Sequence, residues 1–194
     1  MPNRTHRFRI LAAIAAALVL SAALVTPSLA DSTARSASNF AGGAGTVIYL
    51  AAAVGLPLLQ DGKHGTVDTL RTADALGTSL VIAQGLTSVV HEERPNHENN
   101  QSFPSDHATA AFAVATVQSA DHPGEALYWY LGATAIAQSR VRIREHTEGD
   151  VIAGALIGFG TARLELSAPH GLILSPFIAP AQHAEGLTLS APIR

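Results

Sequence analysis

SRVRIREHTEGD, at residues 139–150, is a short polar segment between two long stretches dominated by alanine, leucine and glycine. Stretches of that composition, with few β-branched runs, favour α-helix. Within the segment, Arg140, His146 and Asp150 follow one another at intervals of six and four residues. The segment therefore predicts a junction between two helices that carries ionisable side chains.

The same helical composition extends along most of the chain. We expect helices near residues 44–59, 66–90, 105–120, 124–140 and 147–164. The polar loop at residues 92–103 is the candidate functional loop, because long loops inside compact domains usually carry function. The predicted fold class is all-α, a compact bundle of about five to six helices.

The two ends of the chain differ from this helical region. Residues 1–30 contain three arginines in the first nine positions, then an uncharged apolar run and a final Ser-Leu-Ala. This pattern is typical of a secretory signal peptide. An uncleaved membrane anchor is the alternative. After residue 166, four prolines interrupt short alternating runs, so we expect a short C-terminal extended or β-hairpin tail. The predicted domains are a signal peptide at 1–30, a helical domain at 31–166 and a tail at 167–194. The expected location is exported, either periplasmic or secreted.

The charge of the chain argues against nucleic acid as a partner, and its lack of cysteine excludes disulfide bonds. The net charge is −3, and it becomes −6 without the three arginines of the signal segment, so nucleic acid is not expected as a partner. The chain has no cysteine, and its stability must therefore come from packing without disulfides.

Three uncharged stretches, at residues 42–59, 75–90 and 151–162, raise the question of a membrane. None is long enough to identify a transmembrane helix by itself. Because they are rich in alanine and glycine, we expect them to be buried helices of a compact soluble bundle. Association with a membrane surface remains an alternative.

Several polar residues could together bind a phosphoryl group. Arginines such as Arg94 and Arg140 pair with phosphate oxygens. Ser105 is a candidate N-cap, and a helix that begins there presents free backbone amides to an anion. His107 follows in the first turn, and histidine can exchange a proton near neutral pH. His146 has a carboxylate, Asp150, four residues on, which can fix the tautomer of its ring and leave the other ring nitrogen free to attack phosphorus.

The three clusters, Arg94-Pro95, Pro104-Ser105-Asp106-His107 and the 139–150 segment, resemble the motifs of the type-2 phosphatidic acid phosphatase superfamily. That superfamily shares its active-site architecture with vanadium-dependent haloperoxidases and bacterial class A acid phosphatases. The third motif is met in full. Thr87 stands where the first motif has lysine, and Asp106 stands where the second has glycine.

The resemblance implies a role for each matching residue. His146 is the expected nucleophile, Asp150 its orienting carboxylate and His107 the general acid. The expected phosphate-binding residues are Arg94, Ser105 and Arg140.

The function implied is an acid or lipid phosphate phosphatase. It would hydrolyse a phosphomonoester or diphosphate, carried by a small molecule or a lipid, through a phosphohistidine and without a metal or other cofactor. A catalytically impaired anion-binding homologue and a vanadate-dependent haloperoxidase are the alternatives.

Overall fold

The computed structural model describes residues 31–168, 174–179 and 184–189. Over this part of the chain the all-α prediction is confirmed. The helices are α1 (Asp31–Phe40), α2 (Thr46–Gln60), α3 (Gly65–Val90), α4 (Asp106–Asp121), α5 (Ala126–Arg142) and α6 (Glu148–Ser167). A π-helical segment (Ala41–Gly45) joins α1 to α2, and a single 3₁₀ turn (Pro123–Glu125) precedes α5. The predicted signal peptide lies outside the described residues.

The C-terminal strands are β1 (Leu174–Ala179) and β2 (Ala184–Leu189). They pair antiparallel, with Leu174 opposite Leu189 and Ala179 opposite Ala184. The chain therefore forms a small hairpin after the helices, as the alternating pattern predicts.

Helix α4 is the centre of the bundle. Ten of its sixteen residues are buried, and α2, α3, α5 and α6 all pack against it. The largest core cluster includes Tyr49, Val114, Trp129 and Ile136. The Tyr49 hydroxyl donates a hydrogen bond of 2.6 Å to the Trp129 carbonyl, which satisfies a buried polar group and ties α2 to α5.

Two glycines of α6 allow unusually close packing on α4. A Cβ at Gly154 would lie 2.5 Å from the Ser105 carbonyl oxygen, and a Cβ at Gly158 would overlap the backbone at Thr109. The opposing side chains on α4 are also small, so the two backbones approach without a cavity. This contact fixes the N-terminal end of α4 against that of α6.

The outer faces of α2 and α3 are apolar, which differs from our expectation that these stretches are buried. The segments Arg35–Gln60 and Gly65–Val90 are long and apolar enough to cross a membrane by length and composition, yet only 33% and 17% of their most apolar windows are buried. Val81 and Val89 are 67% and 77% exposed. Composition correctly indicated helices here, but the apolar side chains face outward.

We predict that Gly158→Ala destabilises the protein by about 1–3 kcal/mol, because the added methyl group must displace the α4 backbone. Gly160→Ala is the matched control, since a Cβ at Gly160 meets nothing within 4 Å. The control should be neutral or stabilising by up to about 1 kcal/mol, through helix propensity alone. Denaturant unfolding of both variants tests this. Equal effects would show that close α4–α6 packing is not the constraint we describe.

Candidate active site

A cavity of about 420 Å³ opens where the C-terminal part of α3, the 91–105 loop, the start of α4 and the loop before α6 meet. Three of the predicted site residues line it: Arg94, His107 and His146. The other lining residues are Gln84, Thr87, Ser88, His91, Asn100, Gln101, Pro104 and Asp106. Residues distant in sequence thus contribute to one polar cavity.

Asp150 connects the elements around this cavity. Its Oδ2 atom accepts hydrogen bonds from the Ser102 hydroxyl at 2.6 Å and the Thr147 amide at 2.7 Å. The Asp150 backbone carbonyl accepts a third from the Ser105 amide at 3.1 Å. The Thr147 hydroxyl accepts from the Asp150 amide, so the two residues form a capping box at the start of α6. One buried residue therefore joins the loop, the start of α4 and the start of α6.

His146 is buried and held by a backbone group. Its Nδ1 atom lies 2.7 Å from the Ser102 carbonyl oxygen, whereas the Asp150 carboxylate lies 4.0 Å away. Because a carbonyl only accepts, Nδ1 carries the proton, and in the neutral ring Nε2 keeps its lone pair. The sequence predicts that Asp150 fixes the tautomer of this ring, and in the structure it is the Ser102 carbonyl that accepts the hydrogen bond from Nδ1. The Asp150 carboxylate accepts a hydrogen bond from the Ser102 hydroxyl, and the Ser102 carbonyl accepts one from the imidazole.

The pKa of His146 is lowered, mainly by burial and further by the charges of Arg94 and Arg140, although the bond to Ser102 and the Asp150 carboxylate oppose this. The neutral ring is therefore favoured. A neutral imidazole is the form that can act as a nucleophile.

His107 lies in the first turn of α4 and is partly buried. Its pKa is lowered to about 4, first by burial, then by the Arg140 and His146 charges; Glu145 and a hydrogen bond to the Gly42 backbone oppose the shift. Without a bound anion, the pKa of His107 is therefore well below the ordinary histidine value of about 6.5.

Ser105 lies behind the cavity and does not line it. The residue is fully buried, and its hydroxyl caps α4 by accepting from the Ala108 amide at 3.5 Å. The N-cap prediction is confirmed.

Glu145 joins the two predicted phosphate-binding arginines. Its Oε2 atom accepts from Arg94 at 2.7 Å and also forms an ion pair with Arg140. Arg140 is 6% exposed and donates further to the Gly42 carbonyl at 3.2 Å. Arg94 faces the cavity, while Arg140 lies behind it. We did not predict Glu145, because it occupies a position that the motif spacing leaves unspecified.

Gly42 is a second residue that sequence reasoning missed. A Cβ at this position would lie 2.5 Å from the Arg140 guanidinium nitrogen Nη1. The absence of a side chain therefore lets the π-helical segment approach Arg140 closely enough to accept its hydrogen bond. The sequence contains sixteen glycines, and nothing in their local context distinguishes this one.

The wall formed by α3 is polar but uncharged. Gln84, Thr87 and Ser88 line it, and Thr87 occupies the position of the missing lysine. The Thr87 hydroxyl donates to the Ala83 carbonyl within its own helix, at 3.1 Å. Arg94 is thus the one arginine or lysine among the residues that line the cavity.

These features define a polar cavity with one arginine and an oriented imidazole at one end of an all-α bundle. The model of the PAP2 superfamily matches residues 80–172. This match covers 93 of the 194 residues and confirms the predicted resemblance in that region. No curated protein and no solved structure matches the chain. The family assigns a phosphatase-type activity, that of a phosphoric ester hydrolase, at the level of the superfamily. Among the described residues, no group of three or more histidine, cysteine or acidic side chains could hold a metal ion.

We predict that Glu145→Gln strengthens the binding of inorganic phosphate several-fold and lowers stability by about 1–3 kcal/mol. The carboxylate competes with an anion for both guanidinium groups, and its loss leaves two partly buried like charges without a counter-ion. Phosphate titration and denaturant unfolding measure the two effects. Glu148→Gln, at an exposed position in the first turn of α6, is the matched control: it should leave phosphate binding unchanged and lower stability by at most about 1 kcal/mol, through the helix dipole. Weaker phosphate binding in Glu145→Gln would contradict this view of the ion pair.

Proposed function

We propose that this chain is a metal-independent phosphatase that cleaves a phosphomonoester or diphosphate through a phosphohistidine at His146. The observation that carries the proposal is the 2.7 Å contact between His146 Nδ1 and the Ser102 carbonyl, in a cavity shared with Arg94 and His107. This contact assigns the proton to Nδ1 and leaves Nε2 with the lone pair that a nucleophile requires, which supports the proposed role. Arg94 and Arg140 would neutralise the phosphoryl oxygens in place of Glu145.

In the first step, His146 Nε2 forms a bond to phosphorus while the bond from phosphorus to the leaving oxygen breaks. His107 gives its proton to that oxygen. In the second step, water attacks phosphorus, neutral His107 takes a proton from the water, and the phosphorus–nitrogen bond breaks to release phosphate. The enzyme then returns to its starting protonation state.

The low pKa of His107 is compatible with its role as the acid. A bound phosphate dianion stabilises the imidazolium and raises this pKa above its value of about 4 in the free protein. The required proton would thus be taken up when substrate binds. Activity through His107 is expected to fall as the pH rises through the pKa of the substrate complex, because the acid then loses its proton.

We further propose that the substrate phosphate is carried by a lipid and that the protein associates with a membrane. The exposed positions of α3 are all uncharged, and many are valine, leucine or isoleucine. A helix of 26 residues is about 39 Å long, which exceeds the ~30 Å hydrocarbon core of a bilayer. Leu86 and Val89 lie outside the polar wall formed by Thr87 and Ser88, so an acyl chain could follow this face while its phosphate enters the cavity. Export through residues 1–30 belongs to the same proposal and rests on composition alone.

The first experiment measures inorganic phosphate released by the purified full-length protein from lipid and soluble phosphate esters, with a chelator present. We expect turnover in the wild type and a loss of at least about a thousand-fold in His146→Ala. The matched control is His97→Ala, since His97 is an exposed loop residue outside the cavity. Denaturing gel analysis after mixing with a ³²P-labelled substrate should detect an acid-labile phosphoprotein in the wild type only. A folded wild type that binds phosphate without turnover would favour the anion-binding alternative.

The second experiment tests membrane association. We expect the full-length protein to sediment with membranes and to be released by detergent but not by high salt. Val81→Lys places a charge on the exposed face of α3 and should weaken association, because a lysine at the centre of a bilayer helix costs about 2.5–3.5 kcal/mol. His64→Lys, in the turn before α3, is the control. Complete release of the wild type by salt would contradict burial of this face in lipid.

A further inference from the structure

Asp106 is an acidic residue inside a cavity assigned to an anion. It lines the cavity together with His107 and His146, directly after the N-cap of α4. Its Oδ1 atom is shielded from solvent and has no hydrogen-bond partner in the described part of the chain. An acid in the first turn stabilises the helix dipole, which accounts for a carboxylate there. The dipole does not explain why a shielded oxygen should lack a partner, since buried carboxylate oxygens are normally paired.

Asp106 is affected by its burial and by several charged or titratable side chains around the cavity. Burial raises the pKa of Asp106, and the Arg94 charge partly opposes this. The other titratable side chains that line the cavity are His91, His107 and His146, and Arg140 and Glu145 lie behind it. A phosphoryl dianion entering the cavity would meet a negative charge at Asp106 if this group stayed ionised.

We propose that Asp106 is a phosphate-binding residue that acts as the neutral carboxylic acid, taking up one proton from solvent when a tetrahedral dianion enters the cavity. Its hydroxyl then donates a hydrogen bond to an anion oxygen, which pairs the shielded carboxyl group and removes the like-charge repulsion. This inference deepens the proposed function and rests on it for the identity of the ligand. It makes anion binding proton-linked.

The sign of the linkage follows from which form binds. The protonated carboxyl favours the anion, so affinity is greatest at low pH and falls as the pH rises above the pKa of Asp106 in the free protein. Between the pKa of the free protein and that of the complex, affinity falls about ten-fold per pH unit for each proton taken up. His107 contributes in the same direction, so the two groups must be separated by substitution.

Sulfate is a suitable probe, because it is a tetrahedral dianion that does not titrate in the range of interest. Sulfate binding to the full-length protein is measured by calorimetry from about pH 5 to pH 8, in pairs of buffers that differ in ionisation enthalpy. We expect proton uptake in the wild type and a reduction by up to about one proton in Asp106→Asn, with a correspondingly shallower dependence of the dissociation constant on pH. When His107→Gln is already present, adding Asp106→Asn should remove most of the proton uptake that remains on sulfate binding.

Asp121→Asn is the matched control. Asp121 is at the opposite end of α4, is also partly buried and has one shielded carboxylate oxygen without a hydrogen-bond partner. Proton uptake should be unchanged in this variant. If Asp106→Asn does not fold, Asp106→Gly provides the second test, since glycine also removes the titrating group.

The experiments distinguish failure of the role of Asp106 from failure of the proposed phosphatase function. Equal proton uptake in the wild type and Asp106→Asn overturns the role of Asp106, whether or not the protein is a phosphatase. Absence of sulfate binding at every pH overturns it as well. Proton-linked binding that depends on Asp106, in a protein that turns over no phosphate ester, supports the present inference and rejects the phosphatase proposal.

Discussion

The Asp150 carboxylate and carbonyl hold together the end of the bundle that carries the candidate active site. Ser102, Ser105 and Thr147 all donate to this residue from separate parts of the chain. The orientation of His146 depends on it indirectly, because the carbonyl that accepts from the imidazole belongs to Ser102. A buried carboxylate that accepts hydrogen bonds from several parts of the chain leaves little freedom to its partners. The geometry of the proposed nucleophile is therefore a consequence of the way in which α6 begins.

Close packing of α4 on α6 provides the second constraint. Glycines at 154 and 158 bring the two helix backbones together, and the Ser105 carbonyl lies directly against Gly154. Since the start of each helix carries one of the two histidines, the spacing between His107 and His146 is fixed by small residues one to three turns away. Residues without functional groups thus set a distance on which the proposed proton transfer depends.

Much of the fold could be predicted from the sequence, because helix composition and end signals are local. The start of α4 is one residue from its expected position, since Ser105 caps it as the sequence suggests. The contacts that complete the site were not predictable in this way. Ser102 acts through its backbone carbonyl, which every residue has, and Glu145 acts through two arginines 51 and five residues away. The outward direction of the apolar side chains on α3 was also missed, because hydropathy reports how much apolar surface a helix has and not where it faces.

Glu145 has a consequence for the energetics of ligand exchange. Two guanidinium groups that converge on one point repel each other, and a carboxylate between them offsets that repulsion. With the carboxylate between them, the cations are already gathered and partly dehydrated before any ligand arrives. Under the proposed function, an incoming anion would therefore not have to order the arginines and would only exchange places with one internal carboxylate. The conformational entropy of ordering the two arginines would then be lost once, during folding, and not again in each cycle of the proposed reaction.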